Sequence, residues 1–349
     1  MAAPRSSPVR LSSLTDCGGC AAKLGAYLLA DALAGLGGGP QPRELIAGLA
    51  PADDAAAYLV APDLAIIGTL DFFPPLVDDP ATYGAIAAAN AVSDIFAMGG
   101  RVLFALSIAA FPEDLPAAMT AAILGGAAAT VRAAGGVIAG GHTIRDPEPL
   151  FGLAVVGAAS PGRLLRKGGA QAGDRLLLTK PLGTGLLVSG RRQGRTADGD
   201  LAGAVTSMRT LNRAASEVLV RAGVRCTTDV TGFGLLGHGL EVARASGLRL
   251  AVRAGSLPAL PGALALAEAG VETGGAGHNR RFTAPALEVV PGVTAAQVAL
   301  AHDPQTSGGL LAAVPEAIVP AVERALAEAG VGAWWIGSAE AGPPGIALR

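Results

Sequence analysis

The sequence predicts an α/β (α+β) protein of two domains, on three observations. Its 349 residues are too many for one small core and about right for two, since domains commonly run ~100–200 residues. Strand-like apolar runs alternate with alanine-rich, helix-like segments along the chain, as a mixed fold requires. One stretch, SPGRLLRKGGAQAGD (Ser160–Asp174), combines glycine, charge and breakers and reads as a junction. The expected division is a flexible N-terminal segment with a first helix over 1–50, a domain over 51–160 and a second domain over 170–349.

The elements follow in order. Leu24, Leu28, Ala32 and Leu36 recur at every fourth position and Gly37-Gly38-Gly39 stops the run, which predicts a helix over Leu24–Leu36. LAIIGTLDFF (Leu64–Phe73) reads as a buried strand with Asp71 near its end. Tyr83–Met98 is helical by composition and closes at Gly99-Gly100; RVLFALSIAAF (Arg101–Phe111) follows as a strand. A helix over Pro116–Ala134 leads into VIAGGHTIRD, and LFGLAVVGAA (Leu150–Ala159) adds a strand. Beyond the junction, DRLLLTKPLGTG opens with a strand and a turn, Thr210–Ala222 is helical, and LRLAVRA and GGLLAAV are strands. The last helix spans Glu316–Ala329, with Pro320 tolerated in its first turn.

Composition narrows the function classes. No charge-free apolar run reaches the ~18–20 residues of a membrane span, and MAAPRSSPVRLSSLTD lacks the apolar core of a secretory signal. A net charge of −2 and a pI near 6.1 supply no basic field for nucleic acid. Three cysteines make no disulfide framework. These features predict a soluble, cytoplasmic protein that binds neither membrane nor nucleic acid.

Acidic residues in apolar surroundings mark where chemistry could sit. Asp53 and Asp54 precede AAAYLV, Asp71 lies near a strand end, Asp94 lies inside an apolar helix and Asp229 precedes a glycine turn. Asn90 and Asp94, spaced i and i+4, project from one helical face. Read singly, each aspartate is as readily a helix N-cap. Read together, without matching histidines or thiolates, they suit a hard cation such as Mg²⁺ that shares its shell with phosphates. AGGHTIRD (Ala139–Asp146) and DPQTSGG (Asp303–Gly309) could approach an anion through bare backbone or be plain turns. Neither matches a P-loop or a dinucleotide fingerprint.

CGGCAAK (Cys17–Lys23) has CxxC spacing, but it precedes any strand, unlike a thioredoxin-type site. Zinc lacks ligands too: Cys226 is the one other cysteine and the histidines form no close pair. What remains is a thiol nucleophile whose anion is favoured by Lys23 and a helix N-terminus.

In combination these stretches resemble the selenophosphate synthetases (selenide, water dikinases), from about Thr15 to the C-terminus. The carrying motifs are GCAAK (19–23), DDAA (53–56), TLDFFPPLVDDP (69–80), AAANAVSDIFAMGG (87–100), AGGHTI (139–144), EPLFGLAVVG (148–157), LTKPLGTG (178–185), TDVTGFGLLGH (228–238) and DPQTSGGLL (303–311). The resemblance implies an aminoimidazole ribonucleotide synthetase-like fold. Its N-terminal sheets would pair into a barrel across a homodimer, with ATP in the cleft between domains. The implied reaction converts ATP, selenide and water to selenophosphate, AMP and phosphate. Carried over by position, Cys20 and Lys23 are catalytic; Asp54, Asp94 and Asp229 hold Mg²⁺; and Lys23, Asp53, Asp71, Asp94, Gly141, His142 and Thr143 contact the nucleotide or its metals. K⁺ is a candidate accessory cation.

The chain departs from the family pattern in two places. Many members carry a second cysteine directly before the lysine; here Ala22 stands there, and Cys17 precedes Cys20 by three. The family's PGGTxRN segment appears as GGAGHNRR (Gly274–Arg281). Two alternatives stand beside the leading reading: another ATP-using enzyme of the same fold, such as a thiamine monophosphate kinase, and a CxxC redox module. The first does not need GCAAK, and the second leaves the aspartates unexplained. Cys20→Ser is expected to abolish selenide-dependent AMP formation while Cys17→Ser retains most of it; equal loss in both would remove the distinction between the thiols.

Overall fold

The computed structural model describes residues 9–15, 18–19, 41–49 and 52–349. The expected helix Leu24–Leu36 and the residues Cys17, Cys20 and Lys23 lie outside them. The first half builds a six-stranded sheet from β1 (Leu45–Leu49), β2 (Ala52–Ala61), β3 (Leu64–Phe73), β4 (Arg101–Phe111), β5 (Val137–Arg145) and β6 (Leu150–Ala159), in the order β1-β2-β3-β6-β4-β5. Helix α1 (Pro80–Ala97) follows β3 and α2 (Ala117–Ala133) crosses over between β4 and β5, the one parallel pair of this sheet. Asp79 caps α1 by accepting the Thr82 amide at 2.8 Å, satisfying one of the orphan donors of a helix start.

Strand β3 alternates strictly at its core: Ala65, Ile67, Asp71 and Phe73 are buried, while Leu64, Leu70 and Phe72 are exposed. The two-residue period of a strand thus places Asp71 on the covered face beside apolar neighbours. Helices α1 and α2 approach closely where glycines face backbone. A Cβ on Gly84 would lie 1.9 Å from the Ile123 carbonyl oxygen, and one on Gly126 2.0 Å from that of Ala81.

The second half builds a seven-stranded sheet in the order β10-β13-β9-β12-β7-β11-β8. Its strands are β7 (Arg175–Leu178), β8 (Cys226–Asp229), β9 (Arg249–Val252), β10 (Leu287–Val289), β11 (Leu310–Val314), β12 (Trp334–Glu340) and β13 (Gly345–Leu348). Its helices are α3 (Thr184–Arg192), α4 (Asp198–Arg209), α5 (Arg213–Arg221), α6 (Gly234–Ser246), α7 (Ala263–Glu268), α8 (Ala276–Thr283), α9 (Ala295–His302) and α10 (Val319–Glu328). Pro320 stands in the first turn of α10, where its missing N–H costs no helical bond.

Helix α1 joins the two halves. It is buried along nearly its whole length, the signature of a helix covered on all sides. Across the seam, Asn212 Nδ2 donates to Ser93 Oγ at 2.9 Å, Ser216 Oγ donates to the Phe96 carbonyl at 2.6 Å and Thr227 Oγ1 donates to that of Ala97.

Ala139–Asp146, read as either an anion-approaching stretch or a plain turn, is mostly edge strand: Val137–Arg145 pairs in parallel with β4. A Cβ on Gly141 would meet Ser107 Oγ at 2.0 Å, so close strand approach requires a glycine there. Gly84→Ala is expected to destabilise the fold by about 1–3 kcal/mol through overpacking of α1 against α2; an unchanged urea midpoint would contradict that packing.

Candidate active site

Five predicted aspartates meet at one place. Asp53 and Asp54 from β2, Asp71 from β3, Asp94 from α1 and Asp229 from β8 line a single cavity of about 180 Å³, with Lys167, Thr231 and His238 on the same wall. The seam along α1 brings the first sheet against the end of β8. None of the five is an N-cap, which disposes of that alternative.

Four of the five carboxylates are held by named partners. Asn90 Nδ2 donates to Asp71 Oδ2 at 2.6 Å, and Asn90 Oδ1 accepts the Ser307 amide at 2.8 Å. One turn further, Asp94 Oδ2 accepts from Thr69 Oγ1 at 2.5 Å. Asp53 Oδ1 accepts the amides of Asp54 at 2.9 Å and Lys167 at 3.2 Å. Burial, and then the charge of Asp54, raise the Asp53 carboxyl above its ordinary value.

Asp54 Oδ1 accepts Thr228 Oγ1 at 2.7 Å and faces Lys167 Nζ at 3.1 Å. Its Oδ2 is buried with no hydrogen-bond partner among the described residues. Lys167 also faces Glu241 Oε2 at 3.1 Å, which His238 Nδ1 approaches at 3.2 Å. Burial opposes the charge of Glu241, but Lys167 and His238 outweigh it and bring the carboxyl down to about 2. Burial likewise opposes the Lys167 ammonium; Asp54 and Glu241 overcome it and raise its pKa.

An ion fits this donor set. The donors are carboxylate oxygens, which hard cations prefer, and the buried Asp54 Oδ2 is a polar atom that nothing among the described residues satisfies. Among the described residues no three His, Cys, Asp or Glu side chains form a ready-made metal cage. The cavity thus supplies only part of a coordination shell.

Gly141, His142 and Thr143 stand apart, exposed on β5, three places from β3 in the sheet. DPQTSGG is an internal brace rather than a phosphate cradle. Gln305 Oε1 accepts the amides of Gly183 and Thr184 at 3.0 and 3.1 Å, and Asp303 Oδ2 accepts that of Gly185 at 3.1 Å. Ser307, held at φ 50°, passes this rigidity to Asn90. Lys180 Nζ donates to the carbonyls of Thr210 and Ser307 at 2.6 and 2.8 Å; burial lowers its ammonium to about 7 against the pull of Asp229.

Sequence reasoning missed Lys167, Glu241, Thr228 and Thr69. Lys167 lay in the stretch read as a junction, and Glu241 carries no signal beyond its spacing three residues after His238. Cys226 is buried, with Sγ donating to the Lys167 carbonyl at 3.1 Å, a structural thiol that burial raises to about 12.

Comparison with known proteins agrees with this architecture. Residues 52–159 match the family model of the AIR synthase related protein, N-terminal domain, and residues 171–347 that of the C-terminal domain. A thiamine-monophosphate kinase from Stenotrophomonas maltophilia shares the fold with a TM-score of 0.66 at 20% identity, over 94% of this chain and 96% of that one. The fold and its acidic cleft therefore define an enzyme of the AIR synthase related class. Within that class, the "Selenide, water dikinase" of Myxococcus xanthus is 45% identical over 97% of this chain and 96% of its own length. That of Paraburkholderia xenovorans is 44% identical over 90% of each. The chain belongs to the selenide, water dikinase family.

Glu241 contributes to stability above its ordinary value near 4.5, and that contribution is lost as pH falls toward its folded value of about 2. Glu241→Gln is accordingly expected to flatten the loss of thermal stability between pH 5 and pH 3; an unchanged acid profile would contradict the pairing.

Proposed function

We propose that the protein transfers the γ-phosphoryl group of ATP to selenide and hydrolyses the remaining β-phosphoryl, giving selenophosphate, AMP and phosphate. The observation that carries this reading is the oxygen-lined cavity at the seam of the two halves, with the buried Oδ2 of Asp54 unsatisfied. Asp54, Asp94 and Asp229 would hold Mg²⁺, and the nucleotide phosphates would complete the shell the protein leaves open. Bound there, Mg²⁺ supplies charge neutralisation for the polyphosphate and polarisation of its P–O bonds.

The remaining work falls to the chain itself. Asp71 is fixed by Asn90 and Asp94 by Thr69, so two carboxylates on the nucleotide side are oriented before substrate arrives. Asp53 and Lys23 complete the nucleotide contacts. Cys20 handles selenide as a soft sulfur, and Lys23 brings positive charge to the phosphates. In the first transfer a P–Se bond forms as the β,γ-bridging P–O bond breaks; in the second, water takes the β-phosphoryl group and AMP leaves.

The reading includes a cytoplasmic homodimer, with K⁺ as an accessory cation. The outer face of the first sheet supports the dimer: Tyr58, Val60, Leu70, Phe72, Leu106 and Ile144 are 40–54% exposed on it, an apolar patch of the kind that marks an interface. A second copy of the chain paired there would bring the exposed Gly141, His142 and Thr143 toward a nucleotide. Among the described residues no helix is long and apolar enough to cross a membrane.

Anaerobic ³¹P NMR of the full chain with ATP, Mg²⁺ and selenide tests the reading. The expected result is a phosphorus resonance coupled to selenium, growing in step with AMP. ADP as the stable product would assign the protein to the ordinary kinases of this fold instead.

A further inference from the structure

Lys167 takes no part in the reaction as derived above, yet it is the only lysine or arginine among the described residues lining the acidic cavity. Its side chain is 8% exposed, and its ammonium sits 3.1 Å from both Asp54 Oδ1 and Glu241 Oε2. Asp54 is held a second time, through the same oxygen, by Thr228 at 2.7 Å. Oδ2, buried and unsatisfied, is the oxygen an ion would take.

We infer that Lys167 is a built-in counter-cation: it offsets the carboxylate repulsion of the empty cavity and lowers its affinity for a free divalent ion, so that the ion enters with the nucleotide rather than ahead of it. This rests on the metal-binding reading of Asp54. Two effects of Lys167 oppose each other. Its hydrogen bond orients Asp54, which favours an ion, and its charge repels an ion that shares that carboxylate. Thr228 keeps the orientation when the lysine is neutralised, so the charge decides the sign. A unit charge that close to a bound ion, at the effective dielectric of a protein, changes affinity by at least about tenfold. The nucleotide's phosphates bring the negative charge that overcomes this repulsion, which couples metal entry to substrate entry.

The test uses Mn²⁺ as the probe, with free ion counted by electron paramagnetic resonance on the full-length, nucleotide-free protein at pH 8. Lys167→Met and Lys167→Gln are expected to bind Mn²⁺ at least about tenfold more tightly than the wild type, and Lys167→Arg to match it. Should the methionine variant fail to fold, the glutamine variant carries the test, because its amide still donates to a carboxylate; thermal unfolding establishes which variants are folded. Neutral variants that bind Mn²⁺ no more tightly than a wild type that does bind it beside a non-hydrolysable ATP analogue would overturn the inference alone. Absence of Mn²⁺ binding even with that analogue would overturn the metal reading and the inference with it.

Discussion

Helix α1 is the constraint on which the rest of the molecule depends. Packed against the first sheet on one side and the second domain on the other, it has almost no solvent-facing surface. Its buried polar groups therefore need partners, and several find them across the seam: Ser93 with Asn212, Asn90 with Ser307, and the carbonyls of Phe96 and Ala97 with Ser216 and Thr227. The same helix presents Asp94 to the cavity and, through Asn90, holds Asp71 there. Interdomain geometry and carboxylate geometry are thus fixed by one element, and a shift of α1 would disturb both.

Electrostatics set the second condition. Gathering Asp53, Asp54, Asp71, Asp94 and Asp229 around about 180 Å³ is unfavourable unless charge is returned to the site. The protein returns part of it through Lys167, and part through neutral donors on Thr69, Asn90 and Thr228. Among the described residues a buried carboxylate oxygen of Asp54 is left unsatisfied at the seam between domains, where a metal–nucleotide complex would complete the coordination and tie the two halves together.

Legibility in the sequence follows the range of the interactions. Strands Leu64–Phe73, Arg101–Phe111 and Leu150–Ala159 are readable to the residue because each is an apolar run closed by breakers at both ends. The aspartates were readable because carboxylates in apolar surroundings carry an energetic cost that needs a reason. Ala139–Asp146 misled because paired glycines suggest a loop, whereas Gly141 serves the close pairing of β5 with β4. DPQTSGG misled for a similar reason, its small polar residues being spent on bracing the turn at Gly183–Gly185. Helix α4 and strands β10, β12 and β13 carry weak local patterns and owe their state to tertiary packing. Lys167 and Glu241 were illegible on principle: Lys167 pairs with Asp54 and with Glu241, partners far from it along the chain, and no local pattern encodes either pairing.

In the reading proposed above, carboxylates from the two domains jointly bind the metal–nucleotide complex. Anomalous diffraction from crystals grown with Mn²⁺ and a non-hydrolysable ATP analogue tests it most directly. The account predicts manganese peaks in the cavity, ligated by Asp54 of the first domain and Asp229 of the second together with phosphate oxygens. Manganese bound to the analogue elsewhere, with Asp54 and Asp229 both unligated, would contradict it.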